Sequence, residues 1–338
     1  HRDLHSFPTR RSSDLDYYIC IPVYNEEKRL YRCIKNFNEA IILASKPLKT
    51  IICLNGCTDN SKEVAKKCYL DFPQLGIEVI TSKKGKINAQ EKILKFVKPG
   101  KVVFFTDSDT FIEKDAIKNI LKELKKNSEL IAVGGFPVAV KYSGLNPIKT
   151  IFDRVLNIRS RYPMAEISKL DVSKYHRLAV KDPQYINTSP KHELQSKIFF
   201  HGRLFALKSK KYWDKPNLRK GVIGDDSYIP DYIIYNYGKS RIRIRYDSIV
   251  YYDPFISLSE HYRTYKRTYF DLNNLRKGYP EFTSIRDHSS LKLDWNYIQK
   301  LTPITRIYFR LFSAFRKIET ILFNKSKDNL PSKIWIKN

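Results

Sequence analysis

Five short apolar runs separated by amphipathic helical segments fill the first 134 residues, and few folds can use such an alternation. Asp16 to Val23, Thr50 to Leu54, Ile77 to Thr81, Val102 to Thr106 and Leu130 to Gly134 are rich in β-branched and aromatic residues and read as strands. Glu27 to Ala44, Thr58 to Tyr69, Lys86 to Val97 and Lys114 to Lys126 carry apolar residues at helical spacing, as Leu30, Ile34, Phe37 and Ile41 do. Thr58 or Asp59 is the expected N-cap of the second helix. Strands this apolar must be covered on both faces. The expected fold is therefore α/β, a mostly parallel, Rossmann-like sheet covered by helices. Ligands of such sheets sit beyond the carboxyl ends of the strands. After residue 136 the pattern loosens: Phe199 to Lys208 and Arg241 to Tyr252 read as strands, Asp226 to Tyr237 and Leu258 to Lys277 as helices.

The chain has 62 Lys+Arg against 35 Asp+Glu, a net +27, which favours nucleic acid, phosphorylated ligands or anionic lipid as partners without choosing among them. Residues 141–224 alone hold 18 basic against 6 acidic side chains. No apolar run reaches the roughly 20 residues of a spanning helix, which excludes an integral multi-pass protein. The five cysteines, Cys20, Cys33, Cys53, Cys57 and Cys68, have neither zinc-knuckle nor CxxC spacing; reduced core thiols in a reducing, cytoplasmic compartment are expected. HRDLHSFPTRRSSDL, residues 1–15, has no apolar stretch or periodicity and is expected to be a non-native leader.

Three polar clusters close successive strands: Pro22-Val23-Tyr24-Asn25-Glu26-Glu27, Asn55-Gly56-Cys57-Thr58-Asp59-Asn60-Ser61 and Asp107-Ser108-Asp109. Each alone is ordinary turn and cap chemistry. Their joint placement at one rim of a sheet points to a ligand. In extended backbone, residues i and i+2 face the same way, so Asp107 and Asp109 can present two carboxylates together. Such a pair repels unless a cation or a shared proton intervenes, and oxygen-only ligation suits Mg²⁺ or Mn²⁺.

IPVYNEE, NGCTDNS, KKGKINAQ (Lys83 to Gln90) and TDSD, in this order, resemble the catalytic half of a family 2 glycosyltransferase of GT-A fold. The resemblance implies a nucleotide-sugar donor, a UDP-sugar or GDP-sugar, and inversion at the transferred carbon. Pro22, Tyr24 and Glu26 would line the base and ribose pocket. Asn55 stands where such enzymes often carry an Asp facing the base. Lys86 and Asn88 would lie along the diphosphate or base, Asp107 would face the ribose or the metal, and Asp109 would ligate it. Phe200-His201-Gly202-Arg203 resembles the family's acceptor-side glycine strand, with His201 and Gly202 on the acceptor side. Gly224-Asp225-Asp226 resembles its acidic pair, with Asp226 the expected base and Asp225 the second candidate. Arg263 and Arg267, four apart on one helical face, would be diphosphate contacts or a solvated basic face. Residues 16–135 would form the donor half, 136–280 the acceptor half of the same GT-A domain, and 281–338 a basic helical extension.

Within that extension, Ile304, Ile307, Tyr308, Leu311, Phe315, Ile318 and Leu322 follow helical spacing, with Arg306, Arg310 and Lys317 opposite. Such a helix either lies in an anionic membrane surface, making the protein peripheral on the inner face of the cell membrane, or packs on the catalytic domain. Arg241, Arg243 and Arg245 alternate with isoleucines and read as exposed strand-edge charges. The expected acceptor is a hydroxyl of a glycan or a lipid-linked sugar, as in cell-envelope glycan synthesis. Nucleic acid is not expected, because no zinc finger or RNP-type strand is present. The alternatives are a noncatalytic sugar-nucleotide-binding relative or a basic nucleic-acid-binding protein.

Overall fold

The apolar runs form a central sheet. The computed structural model describes residues 15–140, 144–153, 155, 201–208, 225–253, 255, 257–282, 285, 299 and 302–325. Strand β1 (Tyr17–Val23) is buried along its whole length and pairs in parallel with β2 (Lys49–Asn55) and β4 (Val102–Thr106); β2 pairs in parallel with β3 (Ile77–Ser82). Helix α1 (Leu30–Ala40) turns Leu30, Cys33, Ile34, Phe37 and Ala40 into the same core that holds Tyr17, Ile19, Ile52 and Phe104. Four of the five cysteines are buried and none is in a disulfide. Because these four strands run the same way, Val23, Asn55, Ser82 and Thr106 all end at one rim.

The rest of the sheet departs from the parallel expectation. β4 pairs antiparallel with β7 (Leu204–Lys208), and β7 antiparallel with β6 (Ala132–Ala139). With β5 (Thr110–Ile112), a strand too short to be legible in the sequence, and β8 (Ile242–Tyr252), the order is β3-β2-β1-β4-β7-β6-β8-β5. The reversal of β7 has a consequence for the site. Leu204 sits opposite Thr106, so the turn His201–Arg203 enters at the rim where Asp107 begins.

Helices α2 (Ser61–Asp71), α3 (Lys86–Leu94) and α4 (Ala116–Lys126) lie at their expected places, though α2 and α4 start three and two residues late, α2 ends two residues late and α3 ends three residues early. Neither expected residue is the formal N-cap of α2, although Asp59 Oδ1 accepts the Ser61 N–H at 3.1 Å. The arginines of β8 are not edge charges. β8 lies inside the sheet, and Glu123 of α4 meets Arg243 and Arg245, the latter at 2.7 Å, while Arg241 pairs with Glu129.

Packing divides the chain into two compact units, residues 1–137 with 198–251 and residues 138–197 with 252–338. The first holds most of the sheet and α5 (Asp225–Tyr237), which starts on the acidic pair. The second is built on α6 (Leu258–Gly278), capped by Ser257 through the Glu260 N–H, and α7 (Pro303–Lys325). There Phe152, Phe255, Phe312 and Phe315 surround His261, whose Nδ1 lies 2.7 Å from the fully buried Glu319. Among the described residues, no helix is long and apolar enough to cross a membrane. Most of the loosely patterned stretch 141–224, Gly224 included, lies outside the described residues.

Candidate active site

Two of the three polar clusters are bound to each other. Asn25 adopts φ 53°, and its Oδ1 accepts the Thr58 N–H at 2.9 Å; Ser61 Oγ accepts the Glu26 N–H, and Asp59 Oδ2 the Glu27 N–H. Glu27 in return accepts the Asn60 N–H at 3.0 Å. Although partial desolvation opposes it, the hydrogen bonds from Ser61 and Glu27 hold the Asp59 carboxyl below its ordinary range. Much of the YNEE and NGCTDNS chemistry therefore fastens one loop to the other.

Asn55 is part of the same fastening. Its Nδ2 donates to the Val23 carbonyl at 2.8 Å and its Oδ1 accepts the Gly85 N–H at 3.3 Å. A carboxylate at this position could not donate to Val23, which gives the Asn a local reason. Gly85, at φ 126°, opens α3 in a conformation that other residues rarely adopt, and it aims the first turn at the rim. Asn88 donates to the Lys84 carbonyl at 2.8 Å, a bond within that turn. Tyr24 is half-buried with the Lys84 ammonium 4.7 Å from its ring centre, and Pro22 is buried in β1 opposite Cys53.

Lys86 joins the remaining cluster to the acidic pair. Its Nζ lies 2.6 Å from Asp107 Oδ1 and 3.1 Å from Asp225 Oδ1. Gln90, one helical turn further along α3 and buried, donates to Asp225 Oδ2 at 2.5 Å. Asp226 Oδ2 accepts the Gly202 N–H at 3.5 Å. A Cβ at Gly202 would come 2.7 Å from Lys86 Nζ and 3.2 Å from Asp225 Oδ1, so a side chain here would displace the Lys86 ammonium. On the other flank, Arg29 NH1 stands 3.8 Å from Asp109 Oδ2 while its Nε is held at 2.8 Å by the buried carboxylate of Glu26. Donor-side and acceptor-side candidates, some 120 positions apart in sequence, thus share one ammonium group.

The charges explain the electrostatics. Burial would depress the Lys86 ammonium, but Asp107, Asp225 and Asp226 outweigh it and push its pKa up. Burial raises Asp225; Lys86 and the Gln90 bond pull it down, Asp226 and Asp107 push it up, and the net direction is up. Asp109 is also raised, first by desolvation and then by Asp107, against the pull of Arg29, Arg203 and Lys86. The Asp107 and Asp109 side chains are 32% and 36% exposed, so they remain open to a ligand.

A divalent cation fits this pair. Both carboxylates reach solvent, the set is all oxygen, and the charge of Asp107 helps to raise Asp109, which a cation would relieve. Among the described residues no three His, Cys, Asp or Glu side chains converge as a metal site. Asp107 and Asp109 would be two of the cation's ligands.

The sequence reading singled out neither Arg29, Arg203 nor Gln90. The spacing carried a signal for two of them: Arg29 follows Glu26 by three residues and Gln90 follows Lys86 by four, helical intervals that put side chains on one face. Glu26, read as a base-pocket residue, spends its carboxylate on Arg29. His201 is exposed at the turn before β7. Arg263 is half-buried and Arg267 exposed on α6, in the second unit.

The likeness to known proteins agrees with this geometry. Residues 18–181 match the protein family described as Glycosyl transferase family 2. A chondroitin synthase of Pasteurella multocida (strain Pm70) is 32% identical over 117 residues, which are 34% of this chain and 11% of that protein. A hyaluronan synthase of Pasteurella multocida is equally similar over the same shares. The matched region thus spans about a tenth of the length of these curated relatives. Among solved structures, the mannosyltransferase PcManGT of Pyrobaculum calidifontis, in complex with GDP-Man and Mn²⁺, superposes over 93% of this chain and 84% of its own with a TM-score of 0.56 at 17% identity. The ordered motifs, the sheet and the family match agree, and the chain carries a family 2 glycosyltransferase domain of GT-A fold.

Proposed function

We propose that this chain transfers a sugar from a nucleotide-sugar donor, a UDP-sugar or GDP-sugar, to a hydroxyl of a glycan or lipid-linked acceptor, with inversion at the anomeric carbon. The observation that carries the reading is the Lys86 bridge, which holds Asp107 and Asp225 within 3.1 Å of one nitrogen and so gathers donor-side and acceptor-side acids in one place. Support for the donor comes from the relatives, a chondroitin synthase and a hyaluronan synthase by name, and from the GDP-Man-bound mannosyltransferase of like fold.

Roles divide by environment. Asp225 is buried and engaged by Lys86 and Gln90, which suits a positioning residue. Asp226, beside it in the first turn of α5 and touched by the Gly202 N–H, is the base that takes the acceptor hydroxyl's proton as that oxygen attacks the anomeric carbon. Charge develops on the sugar as in glycoside hydrolysis, and the nucleoside diphosphate leaves from the opposite face. Lys86, Arg29 and Arg203 are the cations available to the departing diphosphate. Asp109 and Asp107 would hold Mg²⁺ or Mn²⁺, and a cation bound there supplies further neutralisation of that leaving group.

The test separates binding from chemistry. Asp226→Asn is expected to keep the thermal stabilisation given by a nucleoside diphosphate with Mn²⁺ while transfer falls about 10²–10⁴-fold. Normal turnover by that variant would remove Asp226 from the role of base.

A further inference from the structure

Helix α7 has two apolar faces, not the single one expected from its sequence. Phe309, Phe312, Glu319 and Phe323 are buried in the second unit, where Phe309 and Phe312 share a cluster with Phe152 and Val155, and Tyr265 packs on Phe323. Tyr308 and Phe315 pack on that same cluster. The aliphatic residues expected beside them point elsewhere: Ile304, Ile307, Leu311, Ile318, Ile321 and Leu322 are each between 49% and 56% exposed. With the exposed Ala314, the positions 304, 307, 311, 314, 318 and 321 alternate intervals of three and four, a continuous seam along five turns. On a helical projection Arg306, Arg310 and Lys317 run along one border of this seam, and the aromatic packing closes the other.

We propose that this seam docks the protein on an anionic lipid surface, the aliphatic side chains entering the headgroup boundary and the three cations meeting lipid phosphates. Charge selects this occupant over the others. A second copy laid antiparallel on the same seam would bring the cationic border against its own counterpart, like charge to like. The tail that follows α7 brings Lys327, Lys333 and Lys337 against Asp328 alone, so it too would add positive charge to a positive border. An anionic surface is complementary to the border and to a chain of net +27.

Net charge alone would pull the chain to any anionic surface, so the decisive variant leaves the charge unchanged. Flotation of the full chain is measured with vesicles of phosphatidylcholine alone and with about one-third phosphatidylglycerol. Binding to the anionic vesicles and weak binding to the neutral ones are expected. The double variant Ile307→Ser/Leu311→Ser should lower anionic-vesicle binding at least about tenfold, and Arg306→Gln/Arg310→Gln/Lys317→Gln by a similar factor. Thermal midpoints check folding, and Ile304→Ser/Ile318→Ser replaces the first pair if its midpoint drops. Undiminished binding by a folded serine variant overturns the proposal, since the attraction would then come from other basic surface. So does a dimer in light scattering that the serine variant dissolves while vesicle binding persists, which would make the seam a contact between copies.

Discussion

Two clusters of buried charge lie in the same unit of this molecule, and they are built on opposite principles. Around Glu123, each carboxylate oxygen meets its own arginine: Arg243 on one side, Arg245 on the other, with Arg245 forked onto Asp247 through contacts of 2.8 and 2.5 Å. Two acids face two bases, and little is left over. At the rim, among the described residues, Glu26, Asp107, Asp109, Asp225 and Asp226 meet Arg29, Lys86 and Arg203, five acids against three bases in these contacts. The first cluster ties α4 to β8 and is complete. The second is arranged so that a cation improves it, as expected of a site and not of a scaffold.

If that contrast is right, removing a carboxylate should have opposite effects on stability in the two places. Glu123→Gln breaks the balanced cluster and takes a buried carboxylate charge away from Arg243, which is 7% exposed, and from Arg245. A loss of about 3–5 kcal/mol is expected, read as a large fall in thermal or denaturant midpoint. Transfer per folded molecule should be unchanged, because Glu123 pairs with Arg243 and Arg245, which are not among the rim residues. A neutral effect on stability would mean that the arginines find other partners and the cluster is not a tie.

How far the sequence disclosed these two clusters follows from the range of the signals involved. The parallel half of the sheet was legible, because Tyr17–Val23 and Val102–Thr106 announce burial on both faces by composition alone. Glu26, Asp107 and Asp109 were legible because they follow those strands within three residues, whereas Asp225 and Asp226 were named only through the family resemblance. Pairing across distance was not. Arg243 and Arg245 have the alternation of an exposed strand edge, and only the position of β8 between β6 and β5, under Glu123, reverses that reading. Asn55 likewise looks like a base contact until the Val23 carbonyl and the Gly85 N–H are found on its two ends. The faces of α7 failed for a related reason: aromatic and aliphatic residues count alike in a periodicity, yet the aromatics went inward and the aliphatics stayed out.

At the unbalanced rim the sign should invert. Burial and Asp107 together make the charged form of Asp109 unfavourable in the folded protein, so Asp109→Asn relieves more repulsion than it loses in attraction to Arg29 and Arg203. In chelator, the variant is expected to melt about 1–3 °C above the wild type, a small gain because the side chain is 36% exposed and solvent screens it. Added Mn²⁺ should raise the midpoint of the wild type and not that of the variant. A stabilised variant that has lost its response to metal would tie both properties to the same oxygen atoms. A destabilised one would mean that the attraction of the arginines dominates and that the rim is already balanced.

The smallest effect is also the most specific to Asp225. Its carboxyl pKa is raised in the fold, so the folded state binds the proton more tightly than the unfolded chain does. Over the interval between the two values the unfolded chain holds fewer protons, and the free energy of unfolding therefore falls as pH rises. The contribution is fully present below the ordinary carboxylate range and is lost as pH climbs through the raised folded value. Measured in chelator from the ordinary carboxylate range upward, the wild type should lose stability by this route as pH rises. Asp225→Asn should flatten that slope, since an amide has no proton to release. Gln90→Leu should move the decline to higher pH, because it removes the hydrogen bond that favours the ionised form. A slope unchanged in Asp225→Asn would assign the decline to other acids of the rim, and the excess of negative charge would then be centred away from the Lys86 bridge.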